Sequence, residues 1–152
     1  MITLEISISD QTLTVLEDGT ELRSYPISSA KNGLGSEEGS LKTPTGNFII
    51  SEKHGHDAPV QTIFKGRKPA GLWHSDHTCD DDLITSRIIW LDGLDPDNAN
   101  TKDRYIYIHG TNHEDKIGSP QSCGCIRMCN KDVIELFDLV EENTQLTILD
   151  NT

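Results

Sequence analysis

Near its start the chain places Ile2, Leu4, Ile6 and Ile8 in strict alternation with Thr3, Glu5 and Ser7, a period of two that fits a strand with one buried face. Leu13 to Leu16 reads as a second short strand. Asp18-Gly19 is the turn dipeptide that folds it back on an extended Leu22 to Ser28. Thr43-Pro44-Thr45-Gly46 reads as a turn into a strand over Asn47-Phe48-Ile49-Ile50-Ser51. β composition returns at Arg87 to Leu91 and Tyr105 to Ile108, joined by a polar connection from Asp95 to Asp103. Residues 53–82 carry Gly, Pro, His and charge with little periodicity, and read as a long loop or lid. Helical spacing occurs once. After Asn130, expected as the N-cap, Val133, Leu136, Phe137 and Val140 fall on one apolar stripe. Asn143 is expected in the left-handed position at its end, with Leu146-Thr147-Ile148-Leu149 as the closing strand. The pattern predicts one mainly β domain over residues 1–152, a sandwich or barrel-like sheet pair with one main helix near the C-terminus.

Charge narrows the partners. Lys and Arg number 13 against 25 Asp and Glu, a formal net charge of −12. That balance argues against the phosphate-neutralising surface of a nucleic-acid binder and against docking on an anionic membrane. The opening Met1-Ile2-Thr3-Leu4-Glu5-Ile6 has no basic or continuously apolar leader, and no apolar run approaches the ~18 residues of a membrane span. A cytoplasmic location is the resulting expectation. Three of the four cysteines, Cys123, Cys125 and Cys129, crowd into seven residues, too close to staple distant parts of a fold. Reduced thiols are expected, which turns attention to catalysis or metal binding.

The informative segment runs from Tyr105 to Met128. A β run ends in Ile108-His109-Gly110-Thr111-Asn112, and fifteen residues separate His109 from Cys125 in Ser122-Cys123-Gly124-Cys125-Ile126-Arg127-Met128. A thiol and an imidazole are the minimum for thiolate catalysis: the ring takes the proton and the sulfur attacks a carbonyl carbon. Gly124 suits a tight turn whose backbone N–H groups converge on an oxyanion, and Gly110 leaves its carbonyl open to orient the other ring nitrogen. Spacing alone leaves Cys125 as a core thiol and His109 as a satisfied strand-end histidine equally open. His74, His77, Cys79, His109, His113, Cys123, Cys125 and Cys129 also offer ligands for a zinc site, although no Cys-x2-Cys pair occurs. A non-catalytic β-sandwich interaction module is the third reading. Lys65, Arg67 and Lys68 cluster in the long loop of an acidic protein, either as solubilising charges or as contacts for an acidic ligand.

The string H-G-T-N, then I-G, then S-C-G-C-I-R-M resembles the signature of the L,D-transpeptidase catalytic domain (YkuD) family. The opening strands with Gln11 and Asp18-Gly19, Tyr25-Pro26-Ile27-Ser28, Thr43-Pro44-Thr45-Gly46 and the helix after Arg127 resemble the family's order of elements, outside residues 53–103. The resemblance implies an L,D-transpeptidase-type β-sandwich or barrel, with Cys125 as nucleophile, His109 as general base, Gly110 as the carbonyl that orients it, and Arg127 behind the nucleophile. Ser122, Cys123 and Gly124 would border the oxyanion and substrate. One departure stands out: Cys123 occupies the position where the family most often has histidine. The implied substrate is a peptidoglycan tetrapeptide or muropeptide, cut between the L-centre of its third residue and the terminal D-alanine, with no cofactor. With a cytoplasmic location, trimming by water during wall recycling is expected ahead of cross-linking or D-amino-acid exchange.

Overall fold

The computed structural model describes residues 1–73 and 83–150. Ten strands form in chain order: β1 Ile2–Ser7, β2 Thr12–Glu17, β3 Thr20–Ser28, β4 Gly46–His54, β5 Thr62–Lys65, β6 Lys68–Leu72, β7 Ile84–Gly93, β8 Tyr107–Thr111, β9 Ile126–Met128 and β10 Gln145–Leu149. One α-helix, α1 Asn130–Leu139, lies between β9 and β10. The strands pair in the order β4-β10-β1-β2-β3-β9-β8-β7-β5-β6, and β4 pairs again with β7. All strands except the β5–β6 hairpin therefore close into a ring, a flattened sandwich without open edges in its main sheet. The mainly β class and the single main helix agree with the sequence.

Alternation explains the interior. Leu4 and Ile6 of β1, Leu13 and Val15 of β2, Ile108 of β8 and Ile126 and Met128 of β9 are all buried in one cluster. The apolar stripe of α1 adds Val133, Leu136 and Phe137 to it, as the helix packs on β7 and β8. Each such side chain contributes about 1.5–3 kcal/mol by leaving water. β7 is different, because Ile88-Ile89-Trp90-Leu91 is apolar without a break. Ile89 and Leu91 enter the main cluster, whereas Ile88 and Trp90 turn outward beneath Phe64 of β5 into a second cluster with Tyr107. Both faces of β7 are covered, which is why its sequence does not alternate.

Four local features differ from the expectations. The loop expected at residues 53–82 begins as the end of β4 and then forms the β5–β6 hairpin. Its turn is the two-residue Gly66-Arg67, with φ of 55° and 65° at those positions, a geometry that matches strand twist. Charged Lys65 and Lys68 and the proline Pro69 hid this hairpin from a periodicity reading. Residues 74–82 lie outside the described residues. Asn130 is not the N-cap: Cys129 holds that position, and Asn130 is the first helical residue with its side chain turned inward. Asn143 does adopt a left-handed φ of 73°, but in the turn after the helix, whose C-cap is Val140. The short β9 directly after the Cys125 turn was not foreseen. Among the described residues no helix is long and apolar enough to cross a membrane.

Candidate active site

The parallel pairing of β8 with β9 builds the site. His109 stands opposite Arg127, and Ile108 opposite Ile126. Because Ile108, Ile126 and Met128 point into the main core, the odd-numbered residues of both strands turn to the other face. Cys125 accordingly falls beside Tyr107, one diagonal step from His109 on strands about 4.8 Å apart. The Tyr107 N–H donates to Cys125 Sγ at 3.4 Å, and the thiol faces the Tyr105 carbonyl at 3.4 Å. The first contact favours the thiolate, and the second is released when the proton leaves.

His109 is 2% exposed, and its Nδ1 lies 2.5 Å from the Gly110 carbonyl oxygen. A carbonyl only accepts, so Nδ1 carries the proton, which in a neutral ring places the lone pair on Nε2, the tautomer a general base requires. Gly110 is glycine for a steric reason. A Cβ there would lie 2.5 Å from Asn130 Oδ1 and 2.6 Å from the Thr85 carbonyl oxygen. Asn130 Oδ1 accepts the hydroxyls of Thr85 and Ser86, while its Nδ2 donates to the Thr111 carbonyl at 2.9 Å. This buried amide ties a bulge of β7 to the end of β8 around the carbonyl that holds His109.

The turn that carries Cys125 is fixed from two sides. Ser122 Oγ donates to the Cys125 carbonyl at 2.6 Å and accepts the Gly124 N–H at 3.2 Å. That N–H is engaged inside the turn. Gly124 has a φ of 124°, which disfavours any side chain there. Its carbonyl accepts from Thr43 Oγ1 at 3.0 Å, and Thr43 in turn accepts the Ala30 N–H at 2.9 Å. Thr43→Val is expected to leave two buried backbone groups unpaired, costing about 1–3 kcal/mol. At roughly 2–4 °C per kcal/mol, a thermal melt should show the loss, and Thr43→Ser should restore it.

A cleft of ≈ 410 Å³ opens at the sulfur, lined by Leu41, Arg104, Tyr105, Cys123 and Cys125, with Glu38 and Asp103 at its rim. Cys123 is exposed there, and Cys125 is half-buried. Arg104 donates to the Gly35 and Lys42 carbonyls at 3.3 and 2.8 Å, holding the 35–42 loop against the cleft. Burial pushes its guanidinium down, and the charge of a Cys125 thiolate pulls it back up, so the cation and the thiolate favour one another. Burial pushes the Cys129 thiol up, with Glu114 and Asp132 adding to the effect, which keeps that sulfur protonated. Arg127 is 4% exposed and stands in β9 between His109 of β8 and Ser28 of β3.

The basic trio divides. Lys65 and Lys68 are exposed on the hairpin, whereas the Arg67 guanidinium lies over the Trp90 ring at 4.6 Å and donates to Tyr107 Oη at 3.1 Å. Among the described residues no three His, Cys, Asp or Glu side chains converge on a metal-sized site, while His74, His77 and Cys79 lie outside the described residues. The sequence reading did not single out Thr43, Asn130, Arg104 or the Trp90–Tyr107 wall as parts of the site. Thr43 lay in plain sight in a turn motif, but nothing in one dimension shows that its hydroxyl meets Gly124.

Residues 2–148 match the family model of the L,D-transpeptidase catalytic domain, YkuD. Bacillus subtilis YkuD is 31% identical over 145 residues, covering 95% of this chain and 64% of the relative. Bacillus subtilis YqjB is 39% identical over 109 residues, covering 72% of this chain and 53% of the relative. The chain thus spans between about half and two thirds of the length of these relatives. Among solved structures, an L,D-transpeptidase from Mycobacterium smegmatis superposes with a TM-score of 0.63 at 18% identity, covering 97% of this chain and 58% of that one. One from Xylanimonas cellulosilytica gives 0.64 at 19% identity, covering 97% and 60%. At these identities the structural likeness is one of fold.

Proposed function

The chain belongs to the L,D-transpeptidase catalytic domain (YkuD) family, and from that premise we propose that it is a cysteine acyltransferase acting on peptidoglycan tetrapeptide stems. The observation that carries this reading is the meeting of the Cys125 sulfur with the backbone of the strand that also bears His109, whose ring is held in the base tautomer by Gly110. His109 takes the thiol proton, and the thiolate attacks the carbonyl carbon of the third stem residue. The C–N bond to D-alanine breaks, the imidazolium gives its proton to the leaving amine, and a thioester remains on Cys125. A water molecule then gives its proton to His109 and attacks the thioester, releasing a tripeptide and restoring the thiol.

Water is the favoured acceptor, which makes the reaction an L,D-carboxypeptidase step on free muropeptides in a cytoplasmic recycling route. A second outcome is favoured by a different observation. Glu38 and Asp103 at the rim of the cleft would attract the ammonium group of an acceptor stem or D-amino acid, giving a cross-link or an exchanged terminus. Mass spectrometry of products from tetrapeptide, with and without an acceptor stem, tests both. A tripeptide in each incubation is the expected result. A product joined to the acceptor would replace hydrolysis by transfer, and unchanged tetrapeptide would overturn the acyl-transfer reading.

Lys65 and Lys68 are exposed on the hairpin, so their joint replacement by Gln is expected to change KM less than about twofold and to leave kcat unchanged. A large rise in KM in steady-state assays would instead give these lysines a direct part in holding the peptide.

A further inference from the structure

Three cations reach the neighbourhood of the cleft through the segments around it. Lys102 is paired with Glu52 at 3.0 Å, and Arg104 spends its donors on loop carbonyls. Arg67 differs. Its guanidinium lies over the Trp90 ring at 4.6 Å and 5.6 Å from the Tyr105 ring, and its hydrogen bond within the protein goes to Tyr107 Oη. Among the described residues no carboxylate lies within ion-pair distance of it, in a chain whose 25 acidic residues outnumber its 13 basic ones. Cys125 packs against the apolar cluster that contains Trp90 and Tyr107, so the platform that carries this arginine also flanks the sulfur. With one Nη1 hydrogen bond going to Tyr107 Oη, the guanidinium keeps further N–H donors of the planar fork that matches a carboxylate.

We propose that Arg67 binds a carboxylate of the acyl donor and makes the protein selective for stem peptides whose carboxyl groups are free rather than amidated. Besides the terminal D-alanine carboxylate, which all three test peptides keep, two sources share this chemistry: the α-carboxyl of the second stem residue, linked through its side chain, and the side-chain carboxyl of a diamino-diacid third residue. The proposal names the substrate class of the acyl-transfer reading and rests on that reading, but its binding step does not need turnover. Lys65 and Lys68 take no part in it.

The test uses full-length Cys125→Ala protein and calorimetric titration with three tetrapeptides: free acid, amidated at the second residue, and amidated at the third. One amidation is expected to weaken binding about tenfold. Adding Arg67→Gln should weaken the free-acid peptide by a similar factor and leave the amidated one unchanged, and Arg67→Lys should recover part of the difference. The proposal is overturned if the difference survives Arg67→Gln, if neither amidation matters, if the free acid does not bind, or if Arg67→Gln weakens all three peptides equally, as a mere latch for the hairpin would. An Arg67-dependent preference in binding with no turnover by the wild type would sink the catalytic reading alone. Equal turnover of all three peptides, unaffected by Arg67→Gln, would sink the Arg67 proposal alone.

Discussion

Replacing Cys125 with alanine is expected to lower D-alanine release from a tetrapeptide at least about 10³-fold, because it removes the thiol that meets the strand of His109 and would form the acyl-enzyme. The fold should survive. Cys125 is half-buried at the edge of the cluster of Phe64, Ile88, Trp90 and Tyr107, and the turn is held by Ser122 and Thr43 through backbone atoms rather than through the sulfur. Cys125→Ser should be nearly as inactive, since a hydroxyl beside a single imidazole is a far weaker nucleophile than a thiolate. Cys129 offers no substitute, because burial holds its thiol protonated. More than a few per cent of wild-type activity in either variant would move the nucleophile elsewhere.

His109→Ala is expected to cost about 10²–10⁴-fold in kcat/KM near neutral pH. The sign of its pH dependence follows from the chemistry. Without a base the sulfur must ionise unaided, so the deficit should shrink as pH rises through the ordinary thiol range near about 8.5. Rescue stays partial, because the leaving amine still lacks the proton His109 would supply. The Tyr107 N–H and the nearby Arg104 charge remain in place to favour the thiolate in this variant. A near-normal rate with no pH dependence would remove His109 from the mechanism.

Much of this was readable in one dimension, for identifiable reasons. The alternation in β1, β2 and β10 and the Asp18-Gly19 hairpin are local patterns, and each element stands near its expected place. The stripe of α1 was equally local. The signature around His109 and Cys125 was legible because tight turns and a close backbone approach restrict residue type: Gly110 admits no Cβ beside Asn130, and Gly124 needs a positive φ. What escaped depends on long-range meetings. Asn130 has the composition of an N-cap, yet its amide is consumed by Thr85, Ser86 and Thr111 from distant strands. The β5–β6 hairpin lacks periodicity because one of its strands is wholly exposed. Arg67 looked like one of three loop charges until the fold laid it on Trp90.

The central claim is a thioester between Cys125 and the third residue of the stem, and intact-protein mass spectrometry after rapid mixing with tetrapeptide tests it most directly. The expected result is a mass increase equal to the tripeptide less one water, located by digestion to the peptide containing Cys125 and absent from Cys125→Ala. Release of D-alanine with no covalent adduct on rapid quenching, or an adduct on Cys123 or Cys129 instead, would contradict the account.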